Sequence, residues 1–396
     1  MPVNFQQARD QIREMGSQAL PRQERLQQLH AEASEIFKQY AGELDSLELL
    51  VLQAAAENPG LRCAAPFGET LDQSFAEPVL GERYTLLAAD GSQINPNPHG
   101  MVEFGAINVG AIRMKPGEAA QEIVQSKLLF NDDLFTASGG PLTEDIVALK
   151  RDLAERQLLA ELARSEHAPV AALTDGPLEL FREPKKMPEF DAELERYKGV
   201  LEDLAKLGVA TAGYVDRPRG DLVVRLLELV ILQRRNQLNR AGEDRPLRGV
   251  YDRHLIFPLL NPGDRSAIYS IRSGSAKSFQ GELAVHFFYL NVGREGRSYL
   301  SRVEIPRWVA ENKVLVDLLH ASLLAQSRHL GARPYPYILH RAHEIAVISF
   351  AEREQLENMI INVLRSQGID VDDVSNKLGA KNASSNHTRV SKSRPR

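Results

Sequence analysis

The chain has almost no cysteine. Cys63 is the only one, so neither an internal disulfide nor a Cys-rich zinc centre can form, and a reducing compartment is expected. The first residues are polar and lack the basic start and apolar run of a secretory signal. No apolar stretch is long enough to span a bilayer; the best, Leu222 to Gln233, is interrupted by Arg225 and Glu228. A cytoplasmic protein without membrane contact is therefore expected. There is no Walker A motif and no pair of Gly-rich phosphate hairpins, which weighs against an actin-like-fold ATPase or kinase. His340, His343 and Glu344 are neighbours, but His-Arg-Ala-His-Glu matches neither spelling of the zinc proteases. A strong positive charge is missing too. The formal net charge is -5, so any nucleic acid must be held by local basic patches rather than by the global field.

What is present suffices for a large fold. The chain has 396 residues, 43% of them hydrophobic, which supports a substantial core. Three regions are expected: an N-terminal helical extension and linker over residues 1–80, a main domain over 81–370, and a disordered basic tail over 371–396. Residues 4–58 read as helical, with Pro21 expected to split them into two helices. Residues 58–80, rich in Pro and Gly, read as a loop. Tyr84 to Ala89, Met101 to Met114 and Ile123 to Phe130 read as a three-stranded antiparallel meander. Thr143 is placed to cap a helix running to about Arg164. Strands at Pro169 to Thr174 and Val209 to Val215 then alternate with helices at Pro188 to Leu207 and Asp221 to Asn239. Strands near Leu283 to Val292 and Tyr299 to Ile305, and helices at Val309 to Leu330 and Arg341 to Gln367, complete the pattern. The order implies a mixed α/β sheet with right-handed crossovers, not an all-parallel one.

The informative punctuation is a repeated Asp-Gly. Leu87-Ala88-Ala89-Asp90-Gly91 and Ala172-Leu173-Thr174-Asp175-Gly176 both finish an apolar run this way. One Asp-Gly alone is an ordinary turn signal. Two, on strands that this order allows to lie side by side and parallel, put two carboxylates within reach of one cation. A hard cation needs further oxygen ligands. Glu155, in the helix before the second strand, is the candidate third ligand; its ordinary alternative is an ion pair with Arg151 or Lys150. Glu144, Asp145 and Asp152 compete, although the first two suit the helix dipole at the first turn.

These residues resemble the NurA nuclease domain. The resemblance rests on Ala88-Ala89-Asp90-Gly91-Ser92, the helix around Glu155, and Leu173-Thr174-Asp175-Gly176-Pro177-Leu178. It extends to Arg302-Val303-Glu304-Ile305-Pro306 and to Tyr335-Pro336-Tyr337-Ile338-Leu339-His340-Arg341-Ala342-His343, so that it covers about Tyr84 to Leu364. Pro177 stands where serine is common in the family. The resemblance implies a ribonuclease-H-like core and a manganese-dependent deoxyribonuclease, with magnesium as the alternative ion. It also implies 5′ to 3′ digestion from DNA ends, single-strand cleavage, and a homodimer working with a HerA-type hexameric ATPase in end resection and break repair. Asp90, Glu155, Asp175 and His343 take the catalytic and metal-binding places. From the residues themselves, Arg217 and Arg219, and also Arg234 and Arg235, are candidate phosphate contacts, and Tyr335 and Tyr337 candidate stacking residues for unpaired bases. The competing non-enzymatic expectation is a DNA-repair scaffold that binds a motor ATPase. Residues 4–58 are the candidate surface for dimer or partner contacts.

Overall fold

The computed structural model describes residues 4–167, 169–180, 188–331, 333–369 and 371. The basic tail beyond residue 371 lies outside the described residues. Helices α1 (Phe5–Ser17), α2 (Ala19–Tyr40) and α3 (Leu44–Glu57) lead into short strands β1 (Cys63–Pro66) and β2 (Ser74–Phe75). Next come β3 (Thr85–Ile94), β4 (Gly105–Met114) and β5 (Gln121–Leu129). They are followed by α4 (Glu144–Arg164), β6 (Val170–Asp175), α5 (Pro188–Lys206), β7 (Ala210–Val215) and α6 (Leu222–Arg234). Then come α7 (Asp252–Ile256), β8 (Arg265–Ser266), β9 (Tyr269–Arg272), β10 (Val285–Asn291) and β11 (Leu300–Pro306). Helices α8 (Arg307–Ala310), α9 (Lys313–Ser327), α10 (Tyr337–Ala346) and α11 (Phe350–Ser366) close the described chain.

Two compact units result. The first is built from residues 84–174, 188–208 and 338 onward among those described. Its strands lie in the order β6-β3-β4-β5. β3 and β4 are antiparallel from Leu86↔Met114 to Ile94↔Ala106, and β4 and β5 from Gly105↔Leu129 to Arg113↔Gln121. β6 joins β3 in parallel, from Thr85↔Val170 to Ala89↔Thr174. The sheet is therefore mixed, as the order of elements implies. Thr143 caps α4 by accepting from the Ile146 N–H at 3.4 Å. Ile146, Leu149, Leu153 and Leu158 bury one stripe of that helix, and Lys150 ties it to α5 through the buried Glu193 at 2.7 Å.

The second unit takes residues 4–83, 175–180 and 209–337. Its strands run β1-β9-β10-β11-β7, with β2 and β8 attached at the side, and all of these pairings are antiparallel. Helix α6 is buried on nearly every face. Its Arg225 and Glu228 are inside but paired at 2.9 Å, and Arg245 adds a second bond to Glu228 at 2.7 Å. A buried charge persists only with partners of this kind.

Four expectations need correction. Pro21 does not divide the N-terminal helices: it sits in the first turn of α2, where its missing N–H has no helical acceptor to lose. The breaks fall at Gln18 and after Ala41, giving three helices among the described residues. The loop over 58–80 contains β1 and β2, which find their partners about two hundred residues later, in β9 and β8. The last helix is interrupted at 347–349, where Ser349 and Glu352 cap each other's turn and start α11 anew. Finally, β3 does not stop at Asp90-Gly91. It continues to Ile94, because β4 pairs with it throughout and Ile94, Phe104 and Ala106 pack under Ile348, Leu356 and Ile360.

Candidate active site

Asp90 occupies a strand interior. The parallel register of β3 and β6 ends at Ala89↔Thr174, the residues immediately before Asp90 and Asp175. On its other side Asp90 faces Gly110 of β4. A Cβ at Gly110 would lie 2.5 Å from the backbone nitrogen of Ala346, so only glycine lets the end of α10 rest on the strand. That helix end is then pinned by hydrogen bonds. Ser92 Oγ donates to the Ala346 carbonyl at 2.5 Å, Asn108 Nδ2 donates to the same oxygen at 2.8 Å, and the Ile348 N–H donates to Ser92 Oγ at 3.1 Å. The last turn of a helix has carbonyls without helical partners, and these side chains satisfy one of them.

The pinning delivers His343. Its Nδ1 donates to Asp90 Oδ2 at 2.6 Å, while Asp90 Oδ1 accepts from the Gly91 N–H at 2.8 Å. The Asp90 side chain is 18% exposed and that of His343 63%. With Nδ1 committed to the carboxylate, Nε2 is the ring nitrogen left to meet a ligand or a proton.

Glu155 approaches from α4. A Cβ at Gly91 would meet Glu155 Oε1 at 2.7 Å and Arg151 Cγ at 2.5 Å, so glycine is what allows helix and strand to close up here. Burial pushes the Glu155 carboxyl well above its usual range. Asp152 and Asp90 add to that rise, and the neighbouring Arg151 opposes it. Arg151 Nε is 3.4 Å from Glu155 Oε1 and Arg151 also grips Asp152 at 2.6 Å. The helix ion pair expected as the ordinary role of Glu155 thus exists, yet the carboxyl is buried against Gly91, the residue after Asp90.

Asp175 is the exposed last residue of β6, and the chain after it is fixed in the second unit. Gly176 takes φ 87, a left-handed conformation open to glycine, and its N–H donates to the Tyr214 carbonyl at 2.8 Å. A Cβ on Gly213 would stand 2.6 Å from the Gly176 carbonyl oxygen. Beneath lies Glu304, wholly buried; its Oε2 accepts from the N–H groups of Leu178 at 2.9 Å and Glu179 at 3.3 Å. Arg302 balances its charge at 2.7 Å.

Two contributors were not singled out from sequence as parts of the site. Arg151 reads from sequence only as an ion-pair partner, and the buried Arg156 donates to Thr174 Oγ1, directly before Asp175. The position of Arg156 next to Glu155 was the available clue. The proposed DNA contacts lie in the second unit. Arg217 and Arg219 are exposed just after β7, with the Arg217 guanidinium 4.7 Å from the centre of the Tyr299 ring. Tyr335 packs edge-on to Tyr214 at 5.6 Å, and the Tyr337 ring is 5.9 Å from His329; both are half-buried. Among the described residues no group of three or more His, Cys, Asp or Glu side chains is gathered as a metal-binding cluster.

A meander edged by one parallel strand, with a helix glutamate laid against the glycine that follows Asp90 on β3, defines an α/β protein of the ribonuclease-H-like class. The NurA domain family matches residues 84–348. Among solved structures, the NurA nuclease from Sulfolobus solfataricus is similar with a TM-score of 0.50 and 13% identity, covering 84% of this chain and 98% of that one. The catalytic domain of human Endonuclease V aligns with a TM-score of 0.35 and 13% identity, over 80% of this chain and 98% of that one. No curated protein sequence matches the chain. The chain belongs to the NurA family, and that membership makes it a nuclease.

Proposed function

We propose that the chain is a metal-dependent deoxyribonuclease, with Asp90, Glu155, Asp175 and His343 as its catalytic set. The observation that carries this reading is the bond between His343 and Asp90, with the Glu155 carboxyl near enough to feel the charge of Asp90. Their chemistry suits a hard divalent ion: carboxylate oxygens with one imidazole. The buried Glu155, crowded by other acids, is the kind of group that a cation would hold ionised. Asp90, Glu155 and Asp175 would hold manganese, or magnesium, which would supply Lewis-acid polarisation of the phosphodiester.

The remaining work falls to the chain's own groups. Asp90 fixes the tautomer and direction of His343, so that Nε2 is ready to pass a proton to the departing oxygen. Arg151, paired to both Asp152 and Glu155, offsets the charge of these acids. Arg156 holds Thr174 and so steadies the strand end that carries Asp175. Arg217 and Arg219 would take backbone phosphates, and Tyr335 and Tyr337 would stack on unpaired bases.

Beyond chemistry, family membership supports a cytoplasmic homodimer that digests DNA ends 5′ to 3′ and cuts single strands, with a HerA-type hexameric ATPase. The test is cleavage of end-labelled single-stranded and duplex DNA with manganese, with magnesium and with chelator. Cleavage that needs the ion supports the reading; equal cleavage in chelator contradicts it.

A further inference from the structure

The second unit contains a cavity of about 580 Å³ that the nuclease reading does not use, between α3, the segment around Phe67 and the chain from Ser270 to His286. Its volume lies in the range of small-molecule sites, about 300–1,000 Å³. The half-buried Phe67 contributes apolar surface, and Phe279 lies buried in the wall behind. Arg272, Lys277 and Arg307 line it as well, against a single acid, Glu48. Glu48 meets Arg272 only at 3.7 Å, and Arg307 is paired to Glu311 at 2.6 Å.

His286 gives the cavity its polarity. It is 3% exposed, and its ring lies 4.2 Å from that of Phe67. Its Nδ1 is 2.9 Å from the Ala284 carbonyl, an acceptor, so Nδ1 carries the proton. Burial lowers its pKa to about 4, so the ring is neutral near pH 7. Nε2 is then an acceptor only, and no hydrogen bond to it is formed among the described residues. The cavity thus offers a buried acceptor, an aromatic wall at Phe67 and a cationic rim.

We infer that this cavity binds a nucleotide: the base lies against Phe67 and donates to His286 Nε2, and the phosphate is held by Arg272, Lys277 and Arg307. An aromatic wall suits any base, and guanidinium and ammonium groups suit a phosphate. A free mononucleotide and the terminal nucleotide of a DNA strand share this chemistry. The inference does not depend on the nuclease reading.

The test is titration calorimetry on the full chain in chelator, with dAMP, inorganic phosphate and a 5′-phosphorylated single-stranded oligonucleotide as probes. Saturable dAMP binding is expected, about tenfold or more tighter than phosphate, and weakened about tenfold or more by Arg272→Ala with Lys277→Ala. Lys277→Glu, at one exposed position, gives the same direction should the double variant not fold. Asp90→Asn should bind dAMP as the unaltered chain does. Competition by the oligonucleotide assigns the site to strand ends, and its failure to compete assigns it to free nucleotides. Four results would overturn the inference: no dAMP binding up to about 5 mM, phosphate binding as tight as dAMP, affinity unchanged in the rim variants, or affinity lost in Asp90→Asn.

Discussion

His343 Nδ1 sits 2.6 Å from Asp90 Oδ2, although 253 residues of chain separate them. A helix end resting on a glycine of the neighbouring strand brings them together. Removing the imidazole should therefore damage chemistry more than folding. His343→Ala is expected to lower kcat about a hundredfold or more, with a melting temperature within about 2 °C of the parent. A loss of activity accompanied by large destabilisation would show the histidine to be structural.

Gly91 is the second lever. The Cβ of Gly91→Ala would collide with Arg151 Cγ and Glu155 Oε1. Part of that clash is with flexible side chains, so the cost to stability should be about 1–3 kcal/mol. Cleavage should fall about tenfold or more, since a shift of about 1 Å in a reacting group can cost a hundredfold. Denaturant unfolding and cleavage rates on the same preparation separate the two effects; unchanged activity would remove Glu155 from the site.

Glu304 anchors the chain after Asp175 through the N–H groups of Leu178 and Glu179. Glu304→Ala would leave Arg302 buried without its carboxylate and two donors without an acceptor. A loss of about 3–5 kcal/mol is expected, with Glu304→Gln losing less because it keeps an acceptor oxygen. Urea unfolding measures both, and equal losses would contradict the anchoring role.

Stability should fall in mild acid because of His286. Burial, only partly offset by the bond to the Ala284 carbonyl, lowers its pKa to about 4 from the ordinary histidine value of 6.5. Below about pH 6.5 the unfolded chain takes a proton that the folded chain refuses. The penalty grows as pH falls and is complete below about pH 4, at roughly 3 kcal/mol. In His286→Gln the difference in unfolding midpoint between about pH 7 and about pH 4.5 should shrink; an undiminished difference would place the acid sensitivity elsewhere.

Much of the first unit is legible in sequence, because the β3–β4–β5 meander, the Thr143 cap and the parallel β6 follow from local pattern. The Asp-Gly signal is misleading at Asp90. A turn propensity of that size yields to a ladder that runs on to Ile94 and packs beneath α11. The Arg151–Glu155 pair is legible from its spacing of four, but not the burial of Glu155, which depends on glycine at position 91 of another element. The partners of β1 and β2 are not legible at all, since strands of four and two residues carry too little pattern to stand out in a Pro- and Gly-rich segment. Arg156 escaped because its partner, Thr174, is reached only through the fold.

The most direct measurement is manganese-supported cleavage of labelled single-stranded DNA by Asp90→Asn and Asp175→Asn, each with its folding checked by circular dichroism. Both variants should be folded and should lose cleavage by about a hundredfold or more. Cleavage at the unaltered rate by either folded variant would contradict the assignment of the paired aspartates.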